Sequence, residues 1–385
     1  MNRRKFVKLI GLGGIGATGL ISYYIFGKKE SKNAEGQGFT DNRPEVILPG
    51  MAKNISVETA LNSRCTSDYD GDPRKFHWGL FDNSKKLTIE QIQDIIHHAN
   101  IPRFSDKRVT IQSNENTLTF IVDKKTDGIL RDWSMVESGM QQQAIGLVCA
   151  ALGAGMAFRN LGENGTTISG NDYGTVKIKL DPMKPTYEGS FWSSRTPEDF
   201  GHWIKGNLPN PDRNGSKLLL SIMSNPKIEN KGVVQPTVKS ISQLLWAARG
   251  RTPHYYKSKP WGMTIPTWAG RQNITSVYFI SEDKLHKYIN WNNGKSTHAL
   301  QELDTVERRL CNEVLRTFSP NRGVFVLGKN EAYNRAFWEV GYQMQNLILQ
   351  ANSLDLSYRA VLLNDQQKIP IKRVGIADPV AILSI

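Results

Sequence analysis

Cysteine is nearly absent: three residues in 385, Cys65, Cys149 and Cys311, far apart and odd in number. That usage excludes a disulfide framework, and with no CxxC, haem-attachment pair or metal-ligand spacing there is no metal site to assign. Histidine is also scarce, seven in all, and the adjacent His97 and His98 fall on a predicted helix, where neighbours point in different directions. They read as surface or partly packed side chains rather than ligands. Acidic residues are outnumbered, 36 Asp and Glu against 49 Lys and Arg, for a net charge of +13. The basic residues are scattered and build no run that would track a nucleic-acid backbone, so no nucleic-acid partner is expected. An excess of this sign suits an anionic ligand or an anionic lipid surface. With 39% apolar and 22% charged residues the chain has the composition of a globular protein with a sizeable core. Setting aside about 45 N-terminal residues leaves about 340, one large domain or two ordinary ones.

Long uncharged runs are lacking too, with one exception. Leu9 to Gly27 carries no charge, is preceded by Arg3, Arg4, Phe6, Val7 and Lys8, and is closed by Lys28 and Lys29. A basic start, an apolar middle and a polar exit make a targeting segment. Its Arg-Arg-x-Phe-apolar-Lys pattern resembles the twin-arginine export signal. Gly11, Gly13, Gly14, Gly16, Gly19 and Gly27 weaken the run as a packed helix, each interior glycine costing about 1 kcal/mol relative to alanine. No small-x-small cleavage site follows, Ala34 having Lys32 two positions before it. The run is long enough to span a bilayer, so signal and membrane anchor both stand for residues 1–35. No cysteine follows closely enough to accept a lipid. Residues 36–51 read as a polar, proline-bearing linker.

Two later stretches share an order of elements. In residues 52–204, Leu87, Ile89, Ile92, Ile95 and Ile96 predict an amphipathic helix capped by Thr88. Thr117 to Val122 predicts a strand, and a long helix over Trp133 to Met156 has a nearly apolar second half that asks for deep burial. In residues 237–385, Ile241 to Arg249 predicts a helix, Ser276 to Ser281 a strand, and Trp338 to Ser357 a long, largely apolar helix. The heptapeptides ESGMQQQ and EVGYQMQ match Glu137 with Glu339, Gly139 with Gly341, Gln141 with Gln343 and Gln143 with Gln345. This is the pattern of an internal duplication. The Pro-, Gly- and Asn-rich stretch opening residues 205–236 is the expected linker. Two α+β units then pack their long helices together as a homodimer fused into one chain would.

The stretch TIPTWAGRQNITSVYFIS, Thr264 to Ser281, sends a proline-led loop of small residues and an Arg-Gln-Asn cluster into a strand. Small residues let backbone amides approach a flat or anionic ligand, although an ordinary turn before a strand reads the same way. The string resembles the Pro-Ser-Ala-Gly-type loop of the nitroreductase superfamily, closest to SagB-type dehydrogenases. Ser240 to Gly250 is similar to the family's preceding helix, Lys284 to Leu303 to its following meander, Glu339 to Leu363 to its central helix and the loop beyond, and Arg373 to Ile385 to its closing strand. The likeness covers most of 238–385, and more weakly 56–162, where SRCTSDYD from Ser63 resembles the family's opening Arg-x-Ser-x-basic-x-aromatic motif. The chain departs from the pattern at Ser67 and Asp68, where a basic residue is expected, and at Thr267 and Trp268, where the family has smaller side chains.

The resemblance implies a nitroreductase-like α+β fold, FMN as cofactor, and hydride transfer at a flavin bound between the two units. By that match Arg64, Thr66 and Arg251 hold the phosphate and ribityl chain. Thr267, Trp268, Gly270 and Arg271 line one ring edge, and Tyr358, Arg359 and Ala360 approach the pyrimidine side. No catalytic acid or base is identifiable, Tyr69, Tyr255 and Tyr288 being candidates only. The implied substrate is a small molecule or a peptide. The Tat translocase is the expected export partner, because that route carries proteins that fold around a cofactor before crossing. The expected location is the periplasm or the outer face of the cytoplasmic membrane. A degenerate member that binds a ligand or partner protein without redox turnover is the alternative.

Overall fold

The element boundaries follow from capping chemistry and side-chain period. In the computed structural model Thr88 caps α2 (Ile89–His98), its Oγ1 accepting from Gln91 N at 3.2 Å. A reciprocal Thr237–Ser240 capping box opens α5 (Val238–Arg249). Strand β5 (Thr117–Val122) buries every second residue, Leu118, Phe120 and Val122, so its sheet is covered on one face. Strands β14 (Val324–Lys329) and β16 (Pro379–Ser384) are buried on both faces, as covered central strands must be. The described residues are 44–46, 48, 55–69, 82, 84–104, 109–122, 128–159, 176–182, 198, 201–256, 259–260, 262–267, 274–281, 284–303, 306–318, 323–330 and 334–385. The twin-arginine stretch, the run after it, and Trp268, Gly270 and Arg271 lie outside them. Among the described residues no helix is long and apolar enough to cross a membrane.

The first half runs α1 (Val57–Ser63), β2 (Thr66–Tyr69), α2, β4 (Val109–Asn114), β5, α3 (Gly128–Leu152), β6 (Ala154–Arg159) and β7 (Val176–Pro182). The second runs α4 (Leu219–Met223), β8 (Glu229–Asn230), α5, β11 (Thr275–Ser281), β14, α7 (Asn334–Ser353), β15 (Tyr358–Leu362) and β16. Strand order in the first sheet is β2-β6-β7-β5-β4. The second repeats it as β8-β15-β16-β14-β11 and extends past β11 with β12 (Lys284–Asn292) and β13 (Lys295–Glu302). The step from β6 to β7, β5 and β4 is antiparallel throughout, as is that from β15 to β16, β14 and β11. The edge differs: β2 joins β6 in parallel, β8 joins β15 antiparallel. The second half also inserts β12, β13 and α6 (Arg308–Phe318) between β11 and β14. With α8 (Asp365–Arg373), α6 covers the sheet face opposite α7 through a cluster of Cys311, Val314, Val326, Ile371, Ile376 and Ile382. The α+β class expected from the sequence is the class observed.

The two long helices α3 and α7 cross backbone to backbone. A Cβ on Gly139 would lie 2.2 Å from Trp338 O, and one on Gly341 would lie 2.1 Å from Val136 O and 2.9 Å from Gly139 Cα. The contact is reciprocal, each glycine meeting the carbonyl three residues before the other.

Some expectations are corrected. Helix α7 ends at Ser353, not Ser357, because Asp355 adopts a left-handed φ of 59° and Leu356 N bonds Ala351 O at 3.0 Å, a closing turn. Helix α3 starts at Gly128 and ends at Leu152, not Met156, because Gly153 takes a left-handed φ of 80° and β6 begins at Ala154, and Tyr358 to Ala360 lie in strand β15, not in a loop. Residues 205–236 hold α4 and β8, and their backbone is tied to both halves: Val57 N donates to Lys217 O (3.1 Å), Leu219 N to Ile55 O (2.9 Å) and Ala360 N to Ile228 O (2.7 Å). Within 36–51, β1 (Glu45–Val46) pairs in parallel with β3 (Lys86–Leu87).

Candidate functional site

The loop after α5 is closed on itself before it reaches Thr267. Gly250 N donates to Trp246 O at 2.5 Å, and the position has no room for a side chain, since a Cβ there would lie 2.1 Å from Trp246 Cδ1. Thr264 N donates to Gly250 O (3.0 Å), Thr252 N to Gly262 O (3.2 Å) and Gly262 N to His254 O (2.9 Å), while β9 (Tyr255–Tyr256) and β10 (Lys259–Pro260) pair at the tip. Side chains from three elements then converge on the Thr264 carbonyl: Arg64 Nε from the end of α1 (3.3 Å), Gln143 Nε2 from α3 (3.0 Å) and Asn346 Nδ2 from α7 (3.2 Å). Three donors saturate the lone pairs of one oxygen and fasten this loop of the second half onto the first.

Arg64 is the charged member. Its Nη2 donates to Met263 O at 2.9 Å and its Nη1 to Thr66 Oγ1. The stem runs past Gly146, where a Cβ would come within 3.3 Å of Arg64 Cδ. The side chain is buried, and all three described hydrogen bonds go to neutral oxygens. Burial pulls its pKa down to about 10, and the groups that push back are Cys65 and Tyr342, not a carboxylate. Among the described residues no carboxylate pairs with it, and a buried cation in such surroundings is a place where an anion gains free energy by binding.

Arg251 lies in the same loop, its backbone bridged to Met263. Its Nε donates to Asn290 O (3.1 Å) and its guanidinium sits 4.5 Å from the centroid of the Trp291 ring. Below it Arg249 and Glu339 form a buried ion pair at 2.9 Å. Thr275 Oγ1 donates to Glu339 Oε2 (2.9 Å) and accepts from Arg249 Nη1 (2.6 Å) and Gln343 Nε2 (2.8 Å), which uses the full capacity of the hydroxyl.

Of the residues expected at a cofactor, Arg64, Thr66, Arg251 and the half-buried Thr267 are brought to this loop, and Trp268, Gly270 and Arg271 lie outside the described residues. Tyr358, Arg359 and Ala360 sit on β15. The Tyr358 hydroxyl donates to Lys227 O (3.0 Å) and accepts from Asn352 (2.7 Å), Arg359 is exposed, and Ala360 is buried. Their hydrogen bonds go to β16, the end of α7 and the segment around β8, not to the 250–267 loop. Gln143, Asn346 and His254 were not expected here. A glutamine kept inside an apolar helix was the available signal for Gln143.

Tyr288, a candidate proton carrier, is buried against His298. Ser242 Oγ donates to Pro209 O (2.5 Å), so His298 Nε2 must be the donor to Ser242 Oγ (2.7 Å), and Nδ1 accepts from Tyr288 OH (2.7 Å). Burial, then Arg213, lowers His298 to about 4, and burial, then Arg64, lowers His254 to about 3. The side chains of Tyr69 and Tyr255 lie outside the described residues. Between the ordinary histidine value near 6.5 and these lower ones, the unfolded chain binds protons that the folded chain refuses. Stability therefore falls as pH falls from about 6.5 to about 4, by up to about 1.4 kcal/mol per pH unit for each group. His298→Gln should shed its share of that slope. Urea unfolding at pH 7 and at 4.5 checks this, and an unchanged slope would show that His298 is not held neutral.

Among the described residues no group of three or more His, Cys, Asp or Glu could hold a metal ion. No protein-family model matches the chain, and no curated protein matches it. Among solved structures it is similar to a provisionally assigned nitroreductase from Ralstonia eutropha JMP134, at 22% identity, covering 46% of this chain and 85% of that one with a TM-score of 0.34. It is also similar to one from Thermotoga maritima MSB8, at 12% identity, covering 86% of this chain and 94% of that one with a TM-score of 0.36. The described residues themselves define an α+β protein with two large sheets, of five and seven strands, and a crossed pair of long helices.

Proposed function

We propose that the protein is an exported FMN-dependent oxidoreductase of the nitroreductase type, related to SagB-type dehydrogenases, built as a tandem duplication with its flavin between the two halves. The observation that carries this is Arg64, a buried guanidinium whose hydrogen-bond partners among the described residues are all neutral, reaching from the first half under a loop of the second. The repeated strand order and the reciprocal glycine contact support the duplication. The residues fit the anionic end of such a cofactor: Arg64 and Thr66 side by side, with Arg251 across Met263. Bound FMN supplies hydride transfer. Arg64, Thr66 and Arg251 hold its phosphate and ribityl chain, Thr267, Trp268, Gly270 and Arg271 flank one edge of the ring, and Tyr358, Arg359 and Ala360 serve the pyrimidine side. The substrate is a small molecule or peptide, the Tat translocase exports the folded protein, and the mature chain works in the periplasm or anchored at the outer face of the membrane.

A second reading, ligand or partner binding without turnover, is favoured by one fact: Arg64 already spends three N–H groups on protein oxygens. The absorption spectrum of the purified, folded protein, with chromatography of the released cofactor, separates the readings. The expected result is a yellow protein that releases FMN and is bleached by dithionite. Arg64→Met should then weaken FMN binding about 10- to 100-fold, the worth of one charge-assisted hydrogen bond, with circular dichroism showing that the fold is retained. A protein that stays colourless when FMN is added would overturn the oxidoreductase reading.

A further inference from the structure

We infer that the chain holds one anion-binding cofactor site, at the Arg64–Thr264 junction, and that the position related to it by the internal repeat is closed. The inference rests on the reading of a flavin between two duplicated halves and fixes which of the two possible sites survives.

The repeat pairs α1 with α4, α2 with α5, and α3 with α7, so each part of the junction has a definable counterpart. Arg64 is the residue that ends α1. The residue that ends α4 is Ser224, an exposed side chain whose hydroxyl turns back to Ser221 O at 2.8 Å. The position that holds a guanidinium in the first half thus holds a neutral hydroxyl in the second. The loop that carries Thr264 spans residues 250–274 between α5 and β11, whereas its counterpart between α2 and β4 is only 99–108.

The repeated glutamines and glutamates report the same asymmetry. In the first half they seal the short loop directly: Glu137 Oε1 accepts from Phe104 N at 2.9 Å, and Gln141 Nε2 donates to Ala99 O at 2.5 Å. In the second half Glu339 and Gln343 bind the Arg249–Thr275 pair at the ends of α5 and β11 instead, leaving the long loop between them free to extend. Gln143 clasps the Thr264 carbonyl. Its repeat partner Gln345 is 0% exposed, and neither its Nε2 nor its Oε1 finds a partner among the described residues. Gln345 keeps the amide of the clasp, but no carbonyl among the described residues accepts from it.

Titration of FMN into flavin-free, full-length protein, followed by calorimetry and by quenching of flavin fluorescence, reads the number of sites. One equivalent per chain is expected. Gln143→Leu should weaken binding at least five-fold, because it releases the loop. Gln345→Leu should leave stoichiometry and affinity within two-fold and should not lower the melting temperature, since it replaces an unpartnered buried amide by an apolar side chain of similar size. Two equivalents, or a loss of affinity in Gln345→Leu equal to that in Gln143→Leu, would overturn the single-site inference while leaving the flavin reading intact. Zero equivalents would overturn both.

Discussion

Alanine at Gly139 or at Gly341 is expected to destabilise the protein by about 3 kcal/mol or more and to lower its melting temperature by roughly 10 °C. The ordinary effect has the opposite sign, because glycine inside a helix is about 1 kcal/mol less favourable than alanine. Here the added methyl group has nowhere to go. Its nearest neighbours would be Trp338 O at 2.2 Å or Val136 O at 2.1 Å, backbone atoms in helices buried on several sides. The helices would have to separate, opening the interface that also carries the Tyr342 OH to Gln142 Oε1 hydrogen bond (2.6 Å) and the Gln143 to Asn346 hydrogen bond (2.8 Å). Thermal melts followed by circular dichroism check this. A variant as stable as the parent would show that the helices do not cross at these residues.

Breaking the Arg249–Glu339 pair from one side should cost about 3–5 kcal/mol, because the remaining charge is left in a site that water does not reach. The pair is 2.9 Å apart with side chains 5% and 0% exposed, and Thr275 and Gln343 are oriented around it. Arg249→Met and Glu339→Leu should each be severe. The double variant should lose less than the sum of the two by at least about 2 kcal/mol, since two apolar side chains replace a neutral unit rather than half of one. Denaturant unfolding of the four proteins in the cycle measures the coupling. Additive losses would mean that the two groups do not meet in the folded protein.

Much of the local structure was legible in the chain. The Thr88 cap and the strand at Thr117–Val122 are set by neighbours within a few residues and appear where capping and period put them, and the two long apolar helices appear with both ends shifted by about four residues. The boundaries that slipped depend on longer range. Ser357 was read as helical, but Asp355 turns the chain so that β15 can join β16. Residues 205–236 have the composition of a linker, yet partners more than a hundred residues away order them.

At the site the division is sharper. Arg64 and Thr66 could be singled out from their motif, and Gln143 from its match with Gln345 in the two similar heptapeptides, but nothing local says what they touch. The partner of Arg64 is the Met263–Thr264 backbone, nearly two hundred residues away in sequence. The sequence by itself determined the matching heptapeptides, the capped and periodic elements, and the two glycines set at matching places in long helices. Only the tertiary structure decided that those glycines meet, that Glu339 pairs with Arg249 while Glu137 caps a loop, and that Gln143 finds a carbonyl while Gln345 does not. The physical reason is that local conformation depends on neighbouring residues, whereas these contacts depend on how two helices cross and on what the chain has inserted or shortened around them.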